Sequence, residues 1–253
     1  MRAIFWIARA TVQELIYERF FHLLIFFLAV SLGLSALLGS LTYTEGAKLT
    51  LDFMLGTVHL AMILFPIFVG ISLFHREFSV GSVYLVLSKP VPRASFLLGK
   101  YFGQAFVQGV VVAAMMAVTL FIRSRFEVEL HAGPILQTGT LIYFESLIIA
   151  AFTYLFAIHA GAVLTAVSAL GLFGLAHFRG PVTRELAGDS VSSWTFIRPL
   201  IPDLEVFNLK NLAVYGIGLT YSQMGYLTLY AFCAAGFFLI AALVSFQHKD
   251  IGN

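Results

Sequence analysis

Polar and apolar positions along this chain alternate on the scale of tens of residues. Apolar runs cover Phe20–Leu41, Phe53–Phe74, Tyr101–Ile122 and Gln223–Phe246. The first holds His22 as its only ionisable group, the second holds His59 and Pro66, and the last two carry no charge. A helix needs about 20 apolar residues to cross roughly 30 Å of hydrocarbon, so each run predicts a membrane span. Pro66 is tolerable inside a packed membrane helix. A further run, Thr138–Phe178, is twice as long and as one helix would extend about 60 Å. It must fold back, and His159-Ala160-Gly161 is the predicted turn. The pattern predicts an all-α membrane protein with six transmembrane helices, at about residues 20–41, 53–74, 101–122, 138–158, 161–178 and 223–246.

Six spans place both termini on one side. Cytoplasmic termini put Arg2, Arg9, Arg19, Arg76, Lys89, Arg93, Lys100 and Lys249 inside, 8 of the 15 basic residues. Outside lie Lys48, Arg123, Arg125, Arg179, Arg184, Arg198 and Lys210, four of them in an extracytoplasmic loop over 179–222, where the positive-inside bias is weaker. The bias favours cytoplasmic termini by one residue. That loop is polar at first and then reads "RPLIPDLEVFNLKNL". Before the first span, residues 1–19 predict an amphipathic helix. Phe5, Ala8, Val12, Leu15 and Ile16 make its apolar stripe, and Thr11, Glu14 and Glu18 share another face. Such a helix suits the membrane interface; the plainer reading is a cytoplasmic extension of the first span.

Composition agrees with the pattern. Charged residues make up 11% of the 253 and hydrophobic ones 60%, against about 25% charged in soluble domains. Mean hydropathy is +0.92. A net charge of +2 without a dense Lys/Arg tract argues against nucleic acid as a partner. Cys233 is the only cysteine, so no intrachain disulfide forms. Phe20–Leu41 is too long for the apolar core of a cleavable signal, about 7–15 residues, and reads as a true span.

Catalytic motifs are missing: the chain contains no HExxH, GxSxG, CxxC or GxxxxGK[ST]. The reading is of a chain that is not itself an enzyme and carries no catalytic residue, cofactor or metal. Any ATP it depends on is bound by another chain. Ionisable groups inside a span are functional candidates because burying charge in lipid is costly. Glu145 is the only acidic one, and His159 follows 14 positions later on nearly the same helical face. These two define a possible intramembrane polar site, a proton relay for a carrier or channel that works without an ATPase. The plainer alternative puts Glu145 near the outer interface, hydrogen-bonded to a neighbouring helix or protonated. His22, His59 and His177 read as structural or interfacial. "GQAFVQG" and "GIGLTYSQMG" read as small-residue packing surfaces.

Between the second and third runs lies "HREFSVGSVYLVLSKPVPRASFLLGK" (residues 75–100), charged and broken by proline. Glu77–Leu87 predicts a short cytoplasmic helix with Phe78, Tyr84 and Leu85 near one side. Gly81 and Ser82 keep its middle slim, and Pro90 stops it by disfavouring helix at the residue before. "RASFLLGKYFG" then restarts a helix into the third span. A short helix parallel to the membrane is a suitable docking knob for a soluble partner; the plainer reading is a solvated connector.

The pattern E-x-x-x-G-[ST]-x-x-x-x-L-[ST]-x-P-[VI]-x-R, here Glu77, Gly81, Ser82, Leu87, Ser88, Pro90, Val91 and Arg93, resembles the cytoplasmic loop of ABC type-2 exporter permeases. "IPDLEVFNLKN" (201–211), the tail "FQHKDI" and the N-terminal helix extend the resemblance over nearly the whole chain. It is closest to the six-span permeases of the gliding-motility and nitrous-oxide-reductase-maturation type. "AHF" at 176–178 departs from the Gly-His frequent there. The resemblance implies a coupling helix between spans 2 and 3, with Glu77, Phe78, Gly81, Ser82, Tyr84, Leu87, Pro90 and Arg93 transmitting motion. It implies a multi-pass subunit of the cell inner membrane, pairing with a second permease copy or paralogue. ABC ATPase subunits would bind ATP and Mg, and accessory extracytoplasmic proteins would complete the set of partners. Cargo varies across the family and is not implied.

Overall fold

The computed structural model describes residues 2–17, 46–80, 92–124, 131–177 and 201–248, and positions 30, 33, 34 and 37; within these, the side chains of residues 2, 47 and 76–80 are not described. The described residues form helices α1 (Arg2–Ile16), α2 (Gly46–Val80), α3 (Arg93–Arg123), α4 (Ala132–His159) and α5 (Ala162–His177). A 3₁₀ turn at Glu205–Phe207 precedes α6 (Lys210–Val214) and α7 (Tyr221–His248). No strand occurs among them.

Four helices are long and apolar enough to cross a membrane: α2 from Lys48 to His75, α3, α4 and α7. This is a helical, membrane-embedded protein. Most of the expected first span, 20–41, lies outside the described residues, and the expected fifth is present as the shorter apolar helix α5. The expected turn is where the chain breaks. α4 ends at His159, Ala160 is extended (φ −115, ψ 156), and α5 begins at Ala162.

Ring pairs give the helix directions. Phe144 meets Phe232 and Phe152 meets Phe238, so α4 and α7 run the same way. His59 meets Glu145 and Phe74 meets Tyr154, which aligns α2 with them. α3 runs oppositely and is stitched to α4 by Tyr101 Oη donating to Leu147 O (3.0 Å) and Tyr143 Oη donating to Ala105 O (3.2 Å). Pro66 has no N–H to offer inside α2. Its carbonyl accepts from Gln104 Nε2 of α3 at 3.2 Å. Buried threonines 119, 138 and 153 return their hydroxyls to the carbonyl four residues back, which spares the apolar core unpaired donors.

α1 lies on α3, and its buried face differs from the expected stripe. Thr11 and Leu15 are its buried residues, whereas Phe5 and Ile16 are exposed. The reason is on α3. Lys100 is buried there, and its Nζ lies 3.6 Å from Glu14 Oε2 and 5.5 Å from the Phe96 ring centre. A buried ammonium needs a counter-charge, so the polar side of α1 turns inward to supply one. Gly99 and Gly103, one turn apart, allow the approach: a Cβ at Gly103 would lie 2.7 Å from Ala8 O. Small residues at this spacing let helix backbones come close.

The described part of the expected extracytoplasmic loop is packed into the bundle. Leu204 and Phe207 are fully buried, and Phe207 stacks on Tyr230 of α7 at 5.9 Å. α6 closes with a Schellman turn, Ile217 N donating to Leu212 O and Gly216 N to Ala213 O, and Gly216 takes φ +73. Gln137 of α4 then clamps the chain by accepting from Leu219 N (2.8 Å) and donating to Leu219 O (3.1 Å). These contacts seat an irregular segment deep among helices, where backbone outside a helix is tolerated only if protein or water surrounds it.

Candidate functional site

Glu145 is the fourteenth of the 28 residues of α4 and is 1% exposed. Its Oε2 lies 2.8 Å from His59 Nε2 on α2. The other ring nitrogen, Nδ1, lies 2.9 Å from Nζ of Lys210, the first residue of α6. Lysine only donates, so the ammonium donates to Nδ1 and Nε2–H donates to the carboxylate. A neutral imidazole bridges a cation and an anion, and the triad carries no net charge.

His177 of α5 faces the His59 ring at 5.9 Å, and Phe173 approaches it at 6.1 Å. His177 Nε2 lies 3.0 Å from Glu205 Oε2, so a second acid–imidazole pair flanks the first. The second carboxylate oxygen of Glu145, Oε1, is buried with no hydrogen-bond partner. Four elements of the chain thus converge on His59. Among the described residues no group of three or more His, Cys, Asp or Glu is arranged to hold a metal.

This arrangement corrects the expected pairing. His159 is exposed at the C-terminal end of α4, about 21 Å along the axis from Glu145 at 1.5 Å per residue. A shared helical face does not bring groups four turns apart into contact. Glu145 does bond a neighbouring helix, yet it sits at the middle of its own helix rather than near an end. α4 begins at Ala132, before the expected span start, with Pro134 tolerated in the first turn. His59 and His177, which read as structural in the sequence, stand at the centre of the site. Lys210 and Glu205 join them with no mark of their own in the pattern. The signal the sequence does carry is a lone histidine and a lone acid, each inside an apolar run.

At the other end of the bundle, α2 continues unbroken to Val80. Glu77 and Phe78 therefore belong to the last turn of α2 and do not open a separate helix. The charges from His75 to Glu77 mark the end of the apolar run but contain no helix breaker. Gly81, Ser82, Tyr84, Leu87 and Pro90 lie outside the described residues. Arg93 opens α3, and its Nη1 donates to Phe246 O (3.3 Å) and Gln247 O (3.1 Å) near the end of α7. A cation there satisfies carbonyls that the helix leaves open and opposes its dipole.

A groove of about 510 Å³ runs between α3 and α4, lined by Gly109, Ala113, Met116, Gly139, Thr140 and Tyr143 among others. No protein-family model and no curated protein matches the chain.

Proposed function

We propose that this chain is the six-span permease subunit of an ATP-driven transporter of the ABC type-2 exporter class. Two copies, or one copy and a paralogue, form the pathway, and separate ATPase subunits dock on the cytoplasmic face. The observation that carries the reading is the motif from Glu77 to Arg93 between two spans. Two features support it. The helix entering the motif is continuous with α2, and Arg93 at its exit grips the end of α7, so displacement of the loop would reach both helices. The alternating directions of α2, α3 and α4 suit the six-span plan.

The test is co-purification of an ATPase with this chain and transport-linked ATP turnover. Gly81→Trp adds bulk where a partner would approach, and Glu77→Lys reverses a charge. A buried charge pair that loses one member costs roughly 3–5 kcal/mol, and an exposed pair far less. Both variants are expected to insert normally and to lose the partner and its turnover. Full partner binding and turnover in both would remove the coupling role.

A further inference from the structure

We propose that His59, Glu145 and Lys210 form an intramembrane site for one proton, whose occupancy releases residues 201–214 from α2 and α4. The inference does not depend on the permease reading.

The chemistry has one outcome whichever group accepts the proton. On Glu145, the open position is Oε1, buried and unpartnered while Oε2 holds Nε2–H. A carboxylic acid there removes the only negative charge of the triad and leaves the Lys210 ammonium without a counter-ion. On His59, the open position is Nδ1, the acceptor of the lysine bond. An N–H there turns acceptor into donor and sets imidazolium against ammonium. In both cases the added proton raises the triad's charge from zero to plus one. Either way an uncompensated charge is left among buried groups, which is costly, and the Lys210 ammonium on its short segment is the charge that can withdraw from α2.

Lys210 is the movable member. It stands at the start of a five-residue helix and is only partly buried, whereas His59 and Glu145 lie within long packed helices. Of the other groups facing His59, α5 presents His177 and Phe173, and His177 is engaged by Glu205. On α2 itself, Asp52 and Lys48 lie about two and three turns before His59.

The experiment places spin labels at Val206→Cys and Gly133→Cys in a Cys233→Ser background, in the full chain in nanodiscs. Both sites are exposed, and nothing lies within 4 Å of a Cβ at Gly133. Pulsed-EPR distance distributions are taken over a pH series from about 8 to about 5. One short distance is expected at the higher pH and a second, longer population at the lower. Their ratio should change about tenfold per pH unit through the transition, the slope of one bound proton. Glu145→Gln should show the longer population throughout the series. The neutral pair Glu145→Gln with Lys210→Met should keep the short distance throughout. A wild-type distribution that ignores pH overturns the proposal. So does an equal pH response in the double variant, or failure of the double variant to fold. If Glu145→Gln alone does not fold, wild type against the double variant decides.

Discussion

Replacing Gly103 by alanine tests how the N-terminal helix is held. The new Cβ would meet Ala8 O at 2.7 Å and Thr11 Cβ at 2.8 Å, where ordinary contact begins at 3.4 Å, so α1 must retreat by about 0.7 Å. A backbone carbonyl cannot rotate aside as a side chain does. Overpacking of this kind costs about 1–3 kcal/mol, and alanine returns about 0.5–1 kcal/mol of helix preference over glycine. The expected net loss is about 1 kcal/mol, roughly 2–4 °C in Tm for a chain of this size. Two further variants separate packing from preference. At Gly139 the nearest atoms are Met116 Sδ (2.5 Å) and Cγ (2.6 Å), closer still, but they belong to a flexible thioether beside an open groove. At Gly236 nothing lies within 4 Å. Thermal unfolding in detergent, with tryptic cleavage after the exposed Arg9 as the local readout, should rank them. Gly236→Ala should equal or exceed wild type, Gly139→Ala should lie close to it, and Gly103→Ala should fall below with faster cleavage. Equal behaviour of Gly103→Ala and Gly236→Ala in both assays would refute the seating of α1.

Arg93→Ala should free the Phe246 and Gln247 carbonyls at a cost of about 1–2 kcal/mol, seen as faster carboxypeptidase trimming; Arg93→Lys should restore part of the protection. Gln137→Leu should leave the N–H and C=O of Leu219 unpaired, about 1–3 kcal/mol for each group that stays buried. Thermal unfolding should place Gln137→Glu, which keeps only the acceptor, between Gln137→Leu and wild type. Single cysteines at Ser79 and Ser192, with Cys233→Ser, should label from opposite faces of the membrane, and same-side labelling would sink the six-span plan.

The long elements are legible because a membrane helix is specified by length and apolarity alone. Phe53–Phe74, Tyr101–Ile122 and Gln223–Phe246 each fall inside a helix. The break at His159–Gly161 follows from a run too long for the bilayer. What the pattern cannot give is partnership. The buried face of α1 departs from its apolar stripe because Lys100, which pairs with Glu14, lies on another helix 86 positions beyond it. Periodicity within one segment carries no information about a counter-charge elsewhere. The triad is hidden in the same way, since 86 positions separate His59 from Glu145 and 151 separate it from Lys210. Residues 201–214 read as a loop because their apolar side chains follow no helical period, and their burial depends on surfaces of α2, α4 and α7. A stricter rule would pair His59 with Glu145, since two lone ionisable groups inside apolar runs satisfy one another at least cost.

The grip of Arg93 on the end of α7 also has a consequence for biosynthesis. The two partners are 153 positions apart in sequence. At synthesis rates of about 5–20 residues per second, the acceptor carbonyls follow the arginine by about 8–30 s. Throughout that interval the N-terminal end of α3 lacks its anchor. A chain cut short anywhere before Phe246 never acquires it. Completion of α7 thereby fixes when the start of α3 becomes fastened, however early α3 itself is made.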